Sequence, residues 1–129
     1  MADLFARIVL GHFVGDYLLQ NKAMMLNKSK PGFRGIFWCT LHCLVYTATV
    51  CLFLWTVNPL VIIVVFISHW PIDRWSLASK WMKLIRSREH GVLYFAKEAD
   101  AAFYCIVYVV TDNTLHILLM WLAIKALIA

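Results

Sequence analysis

Four long apolar stretches, parted by short polar segments, set the frame of this chain at about residues 4–20, 35–57, 60–82 and 101–128. Each is close to the roughly 20 residues that an α-helix needs to cross the hydrocarbon core of a bilayer. Asn58-Pro59 is a turn signal between the second and third stretches, and the third passes from "LVIIVVFIS" into the more polar "DRWSLASKWMKLI". The pattern predicts an all-α, polytopic membrane protein, with four transmembrane helices in an antiparallel bundle that forms a single domain over residues 1–129. The polar segments at about 21–34 and 83–100 are read as loops. No internal repeat or low-complexity tract interrupts this order.

Composition points the same way. Hydrophobic residues make up 63% of the chain and charged residues 15%, against about 45–50% and about 25% in soluble domains. Four spans leave no length for a separate soluble domain. The opening "MADLFARIVLGHFVGDYLLQ" has neither a basic n-region nor a small-residue cleavage site, so no removable signal peptide is expected and the first span stays in place.

Charge outside the spans predicts orientation. The first loop carries Lys22, Lys28, Lys30 and Arg34 with no acid, and the second region carries Lys80, Lys83, Arg86, Arg88 and Lys97 against Glu89, Glu98 and Asp100. Lys and Arg collect in cytoplasmic loops, so both loops are expected in the cytoplasm and both termini outside. The formal net charge of +5 then follows from topology, with no need of nucleic acid as a partner. Such a basic surface can also recruit acidic lipids.

Ionisable residues inside the spans carry the chemistry. His12 and Asp16, His69 and Asp73, and Asp112 and His116 are each four residues apart, and His42 lies in the second span. Spacing four places both side chains on one helical face. The first and third spans run in one direction and read His then Asp, whereas the fourth runs oppositely and reads Asp then His. In four antiparallel spans, the three histidines therefore lie about one turn, roughly 6 Å, further out than the three aspartates, and His42 can reach the same zone.

Burial of such groups costs about 2.5–3.5 kcal/mol each on insertion scales, and total domain stability is typically ~5–15 kcal/mol. They must neutralise one another, stay wet or hold a metal. Imidazole with carboxylate suits zinc, iron, manganese or nickel, and helical bundles build one-metal and two-metal sites from such residues. The candidate ligands are His12, Asp16, His42, His69, Asp73, Asp112 and His116, enough for two ions sharing a carboxylate. The competing reading is a set of internal ion pairs that fixes helix register.

Gln20, Lys28, Lys30 and Arg74 are candidates for the mouth of such a site, where they would favour an anionic substrate; the two lysines and Arg74 are equally explained as positive-inside anchors. Cys39, Cys43, Cys51 and Cys105 all fall in apolar segments without metal-type spacing and read as packing residues, although Cys39 shares roughly the face of His42. Pro71 predicts a kink in the third helix.

These residues carry a resemblance. "GHFVGDYLLQ", "NKSK", "LHCLVY", "SHWPID" and "TDNTLH" resemble the motifs of a domain-of-unknown-function family of small bacterial and phage integral membrane proteins. The likeness covers most of the chain and departs from it mainly near "EHGVLYFAKEA", and Asn113 stands where members often have Gln. A more distant likeness is to membrane-bound metal-dependent hydrolases. The resemblance implies a multi-pass protein of the bacterial inner membrane.

The expected function is that of a metal-dependent hydrolase, with zinc, iron or manganese, acting on a phosphorylated or lipid substrate at the cytoplasmic interface. Asp16, Asp73 and Asp112 are its candidate catalytic residues. Two alternatives stay open. One is a divalent-cation or proton transporter, and the other is an interaction protein with a structural polar layer; either would favour a homo-oligomer.

Overall fold

The computed structural model describes residues 2–86 and 97–128, with side chains placed from 3 to 85 and from 102 to 127. Among these residues there are helices and turns and no strand. Helix α1 (Ala2–Phe13) passes without a break into a π-turn (Val14–Leu18), closed by Leu19 N–H donating to the Val14 carbonyl at 3.0 Å. The expected first loop contains a short helix, α2 (Lys22–Asn27), whose Met24 N–H is capped by the Asn21 side chain at 2.9 Å. The remaining helices are α3 (Gly32–Leu54), α4 (Pro59–Arg74), α5 (Leu77–Arg86) and α6 (Lys97–Ile128).

Local chemistry explains the boundaries. Trp55 takes a left-handed conformation (φ 53°) that ends α3, and Asn58 Oδ1 accepts from Leu60 N–H at 2.9 Å to start α4, with Pro59 in its first turn. Pro and an Asx cap at these positions fill the orphan-donor end of a helix. The expected single helix over 60–82 is interrupted, but not at Pro71. Helix α4 runs through Pro71 and stops at Trp75-Ser76, where Ser76 adopts φ 48°; α5 leaves at 55° to α4. Residues 87–96 of the expected second loop lie outside the described residues.

Helices α1, α3, α4 and α6 pack cyclically, α1 on α3, α3 on α4, α4 on α6 and α6 on α1. The contacts are antiparallel. Gly11 faces Val50 and Gly15 faces Tyr46, while His12 meets Asn113 as Phe5 meets Trp121. Small residues allow close helix approach in membranes, and here the allowance is used fully, because a Cβ on Gly15 would sit 2.8 Å from the Tyr46 ring and one on Gly11 3.1 Å from the Val50 backbone. Beyond the histidines, on the side away from α2, Ile8, Tyr46, Val50, Val65, Met120 and Ile124 form the apolar core.

Helix α3 and residues 102–127 of α6 are long and apolar enough to cross a bilayer, and the bent α4–α5 pair is a third candidate. The first span, expected at about 4–20, is met by an unbroken helical stretch of the same length, α1 and its π-turn. Its α-helix has 12 residues and its π-turn five, below the roughly 20 of an ordinary crossing, because the chain leaves helical geometry at Leu19-Gln20 to enter α2.

Candidate metal centre

The polar residues of the four packed helices meet in the middle of the ring. His12, His42, His69 and His116 are at most 2% exposed, Asp73 is 5% exposed and Asp16 8%. The imidazoles form a layer, in which His69 stacks between Tyr46 at 3.6 Å and His116 at 4.0 Å. These rings hold one another in place. The carboxylates lie on the α2 side of that layer.

The π-turn matters at Asp16. An α-helical spacing of four would set Asp16 directly under His12, but a turn closed by an i→i+5 bond holds an extra residue and rotates the side chains beyond it. Asp16 is accordingly 3.7 Å from His12 and closer to two other rings, at 3.0 Å from His42 and 3.5 Å from His69.

Four ligand atoms converge. His42 Nε2 is 3.1 Å from His69 Nε2, 3.0 Å from Asp16 Oδ1 and 3.1 Å from Asp73 Oδ2, and His69 Nε2 is 3.5 Å and 3.2 Å from the same two oxygens. A tetrahedral divalent ion with bonds of about 2.0–2.1 Å would hold its ligands about 3.3 Å apart. The five separations match the edges of that tetrahedron. Two imidazole nitrogens facing each other, with Asp16 Oδ1 lacking an aligned hydrogen bond, are an arrangement that a cation at their centre would satisfy. The residues fit a metal.

A second group adjoins the first. Asp16, Asp112 and His116 also offer ligand atoms within 4.8 Å of one another, and both His116 ring nitrogens are buried without a hydrogen-bond partner among the described residues. His116 Nε2 lies 3.5 Å from Asp73 and 3.8 Å from Asp112. Asp16 belongs to both groups.

His12 is brought to the same layer but does not face the convergence point. Its Nδ1 is 2.9 Å from the Tyr46 hydroxyl and its Nε2 is 2.6 Å from Asn113 Oδ1. The direction of this chain is determined by Asn113 Nδ2, which donates to the Val109 carbonyl at 2.6 Å. A carbonyl can only accept. Asn113 Oδ1 must therefore accept from His12 Nε2–H, and His12 Nδ1 accepts from Tyr46. The same Asn113 amide donates to the Tyr17 hydroxyl at 2.6 Å. His12, expected as a ligand, is thus engaged through both nitrogens elsewhere.

A cavity of about 310 Å³ opens from these carboxylates toward α2, lined by Asp16, Asp73, Asp112, Tyr17, Gln20 and Lys28 among others. Lys28 Nζ donates to Asp73 Oδ2 at 2.7 Å. Burial alone would lower the pKa of this ammonium, but the Asp73 and Asp16 carboxylates outweigh it and raise it above its ordinary value. Lys30 and Arg74 are not part of the cavity wall; Lys30 is exposed and Arg74 donates to the Ser29 carbonyl at 3.4 Å. The Cys39 thiol points to the Trp70 carbonyl at 3.8 Å, away from the ligand atoms.

Tyr46, Tyr17 and Asn113 are neighbours of the cluster that sequence reasoning did not assign to it. Tyr46 had a readable signal, since it lies four residues after His42. Asn113 and Tyr17 each adjoin a candidate aspartate inside the family-like motifs, "TDNTLH" and "GHFVGDYLLQ", which marked their positions but not their partners.

A family model described as "Protein of unknown function (DUF3307)" matches residues 4–129. No curated protein and no solved structure matches the chain.

Proposed function

Because the chain belongs to the DUF3307 family of proteins of unknown function, its chemistry has to be argued from its own residues, and we propose that it is an intramembrane metal-dependent hydrolase of phosphorylated substrates. The observation that carries this reading is the near-tetrahedral meeting of Asp16, His42, His69 and Asp73 at the floor of an open cavity. A structural polar layer would be served by the same close pairs, but it would not need a cavity beside them.

Asp16, His42, His69 and Asp73 would hold the ion, and the cavity on the carboxylate side is where a further position would have to open for water. A divalent metal supplies Lewis acidity and lowers the pKa of water, to about 7 in the best-known zinc sites. Asp112, whose side chain is 19% exposed and which lines the cavity, is the general base that takes the proton from attacking water. Lys28 receives the anionic group of the substrate, and Gln20, whose amide lies 3.2 Å from the His42 ring nitrogens, orients that ring. The Asp16–Asp112–His116 group favours a second reading of the same function, in which a second ion shares Asp16. Transport has less support, because the apolar core beyond the histidines offers no polar path to the far side.

In this reading the four packed helices cross the bacterial inner membrane, with α1 and its π-turn as a short fourth span. Lys22, Lys28, Lys30, Arg34, Lys80 and Lys83 all belong to the α2 and α5 end, which is therefore the cytoplasmic one, and both termini lie outside.

The test is elemental analysis of detergent-purified protein supplied with zinc, iron or manganese, and then assay with phosphomonoesters. One equivalent of metal, lost in His69→Ala and Asp73→Asn, with turnover that tracks the metal, is expected. Protein that binds no supplied metal would overturn the proposal. A second equivalent lost only in His116→Ala would favour the two-ion form.

A further inference from the structure

The polar cavity has an apolar neighbour. A groove of about 520 Å³ runs between α1 and α6, lined by Phe5 and Phe13 on one side and Val110, Ile117, Leu118 and Trp121 on the other. Its α6 wall extends from Val109 to Trp121, roughly 18 Å along the helix at 1.5 Å per residue. Its polar side chains are turned away from it. The Thr114 hydroxyl donates to the Val110 carbonyl at 2.7 Å, and both amide protons of Asn113 are used on Val109 and Tyr17. What remains is a surface suited to hydrocarbon.

The groove and the cavity meet. Val109 lines both, and the ring of Phe13, in the groove, packs 5.8 Å from that of Tyr17, in the cavity wall. The Asn113–Tyr17 hydrogen bond spans the junction. Since Tyr17's oxygen accepts that bond, its own proton is free to donate toward a ligand in the cavity. A larger groove between α3 and α4, about 650 Å³ and equally apolar, shares no lining residue with the cavity. Apolar surface alone therefore does not single out the α1/α6 groove; continuity with the charged site does.

Resting on the hydrolase reading, we infer that the site takes a lipid phosphate, whose phosphate enters the cavity beside Lys28 and Tyr17 and whose acyl chain lies in the α1/α6 groove. The charges suit this ligand. The cavity lining sets Asp16, Asp73 and Asp112 beside one cation, Lys28, so a divalent ion held by these carboxylates would make the site more receptive to an anionic headgroup. A long chain exchanges membrane hydrocarbon for groove. The groove therefore positions the lipid and adds little to affinity.

Photolabelling separates this inference from the one it rests on. The zinc-loaded protein is placed in phosphatidylcholine nanodiscs with a non-hydrolysable phosphonate analogue of phosphatidic acid that carries a diazirine in its chain. Labelling at Val110, Thr114 and Leu118 is expected to exceed labelling at Leu44, Ile63 and Ile67 of the α3/α4 groove at least fivefold. It should fall to parity for a phosphatidylcholine probe with the same diazirine chain, and in Leu118→Trp, which fills the groove. Equal labelling of both grooves by the phosphonate, or equal labelling of the α1/α6 groove by the two probes, would overturn the inference. Turnover of a water-soluble phosphomonoester with unselective labelling would leave the hydrolase standing and the lipid assignment overturned. Selective labelling without turnover of any phosphoester would uphold the lipid site and overturn the hydrolase.

Discussion

Seven side chains that look equivalent along the chain do different work once their atoms are placed. His69 Nε2 faces Asp16, Asp73 and His42 within 3.5 Å, whereas His12 spends both nitrogens on Tyr46 and Asn113. His69→Ala is therefore expected to empty the metal site, and His12→Ala to keep its metal while loosening Tyr17. Metal content and cavity-ligand affinity, measured on both variants, check this. Lys28 bonds to the Asp73 carboxylate at 2.7 Å without being able to ligate in its charged form. Lys28→Met should retain metal and raise KM for a phosphomonoester by about 10- to 100-fold, the scale of one charge-assisted hydrogen bond; steady-state kinetics beside metal analysis reads the two effects separately.

At the scale of elements, the site depends on how closely α1 and α3 approach. Gly15 leaves no room for a methyl against Tyr46, and Tyr46 stacks directly on His69. Gly15→Ala is expected to destabilise the fold by about 1–3 kcal/mol through overpacking and to lower metal affinity as well. Asn58→Ala removes a cap at the far end of the bundle and should cost ~1 kcal/mol with metal affinity unchanged. Thermal unfolding in detergent, with and without zinc, distinguishes a strained site from a merely weaker helix. Helix α5 belongs to the same scale. Ala78 and Met82 are buried, while Trp81, Leu84 and Ile85 are exposed beside Lys80 and Lys83, the pattern of a helix lying in a membrane interface.

For the whole molecule, a bound metal would be linked to the fold. A ligand that binds only the folded state stabilises it by about 2.7 kcal/mol at a hundred times its Kd, so added zinc should raise the unfolding temperature of the native protein and leave Asp73→Asn unmoved. Calorimetry in detergent measures both. Orientation is also testable, because Ser29 and Val57 are exposed at opposite ends of the bundle. A membrane-impermeant maleimide should label Ser29→Cys only in inside-out vesicles and Val57→Cys only in right-side-out ones, above the background of Cys105, the exposed native cysteine. The reverse pattern would place the basic loops outside.

Much of this protein was legible residue by residue. Apolar run length marked helices at α3 and α6, Asn58-Pro59 marked the turn between α3 and α4, and the His/Asp spacings marked the polar layer, since helical period and burial cost act locally along the chain. Three matters were decided only in three dimensions. The π-turn re-aimed Asp16 toward α3 and α4, although spacing alone set it under His12. Asn113 and Tyr46 engage both His12 nitrogens, which depends on partners 101 and 34 residues away. The chain also broke at Ser76, inside the segment read as one helix over 60–82. Periodicity reports which face a side chain occupies, but which atoms meet there depends on helix approach, register and the direction of hydrogen bonds between distant segments.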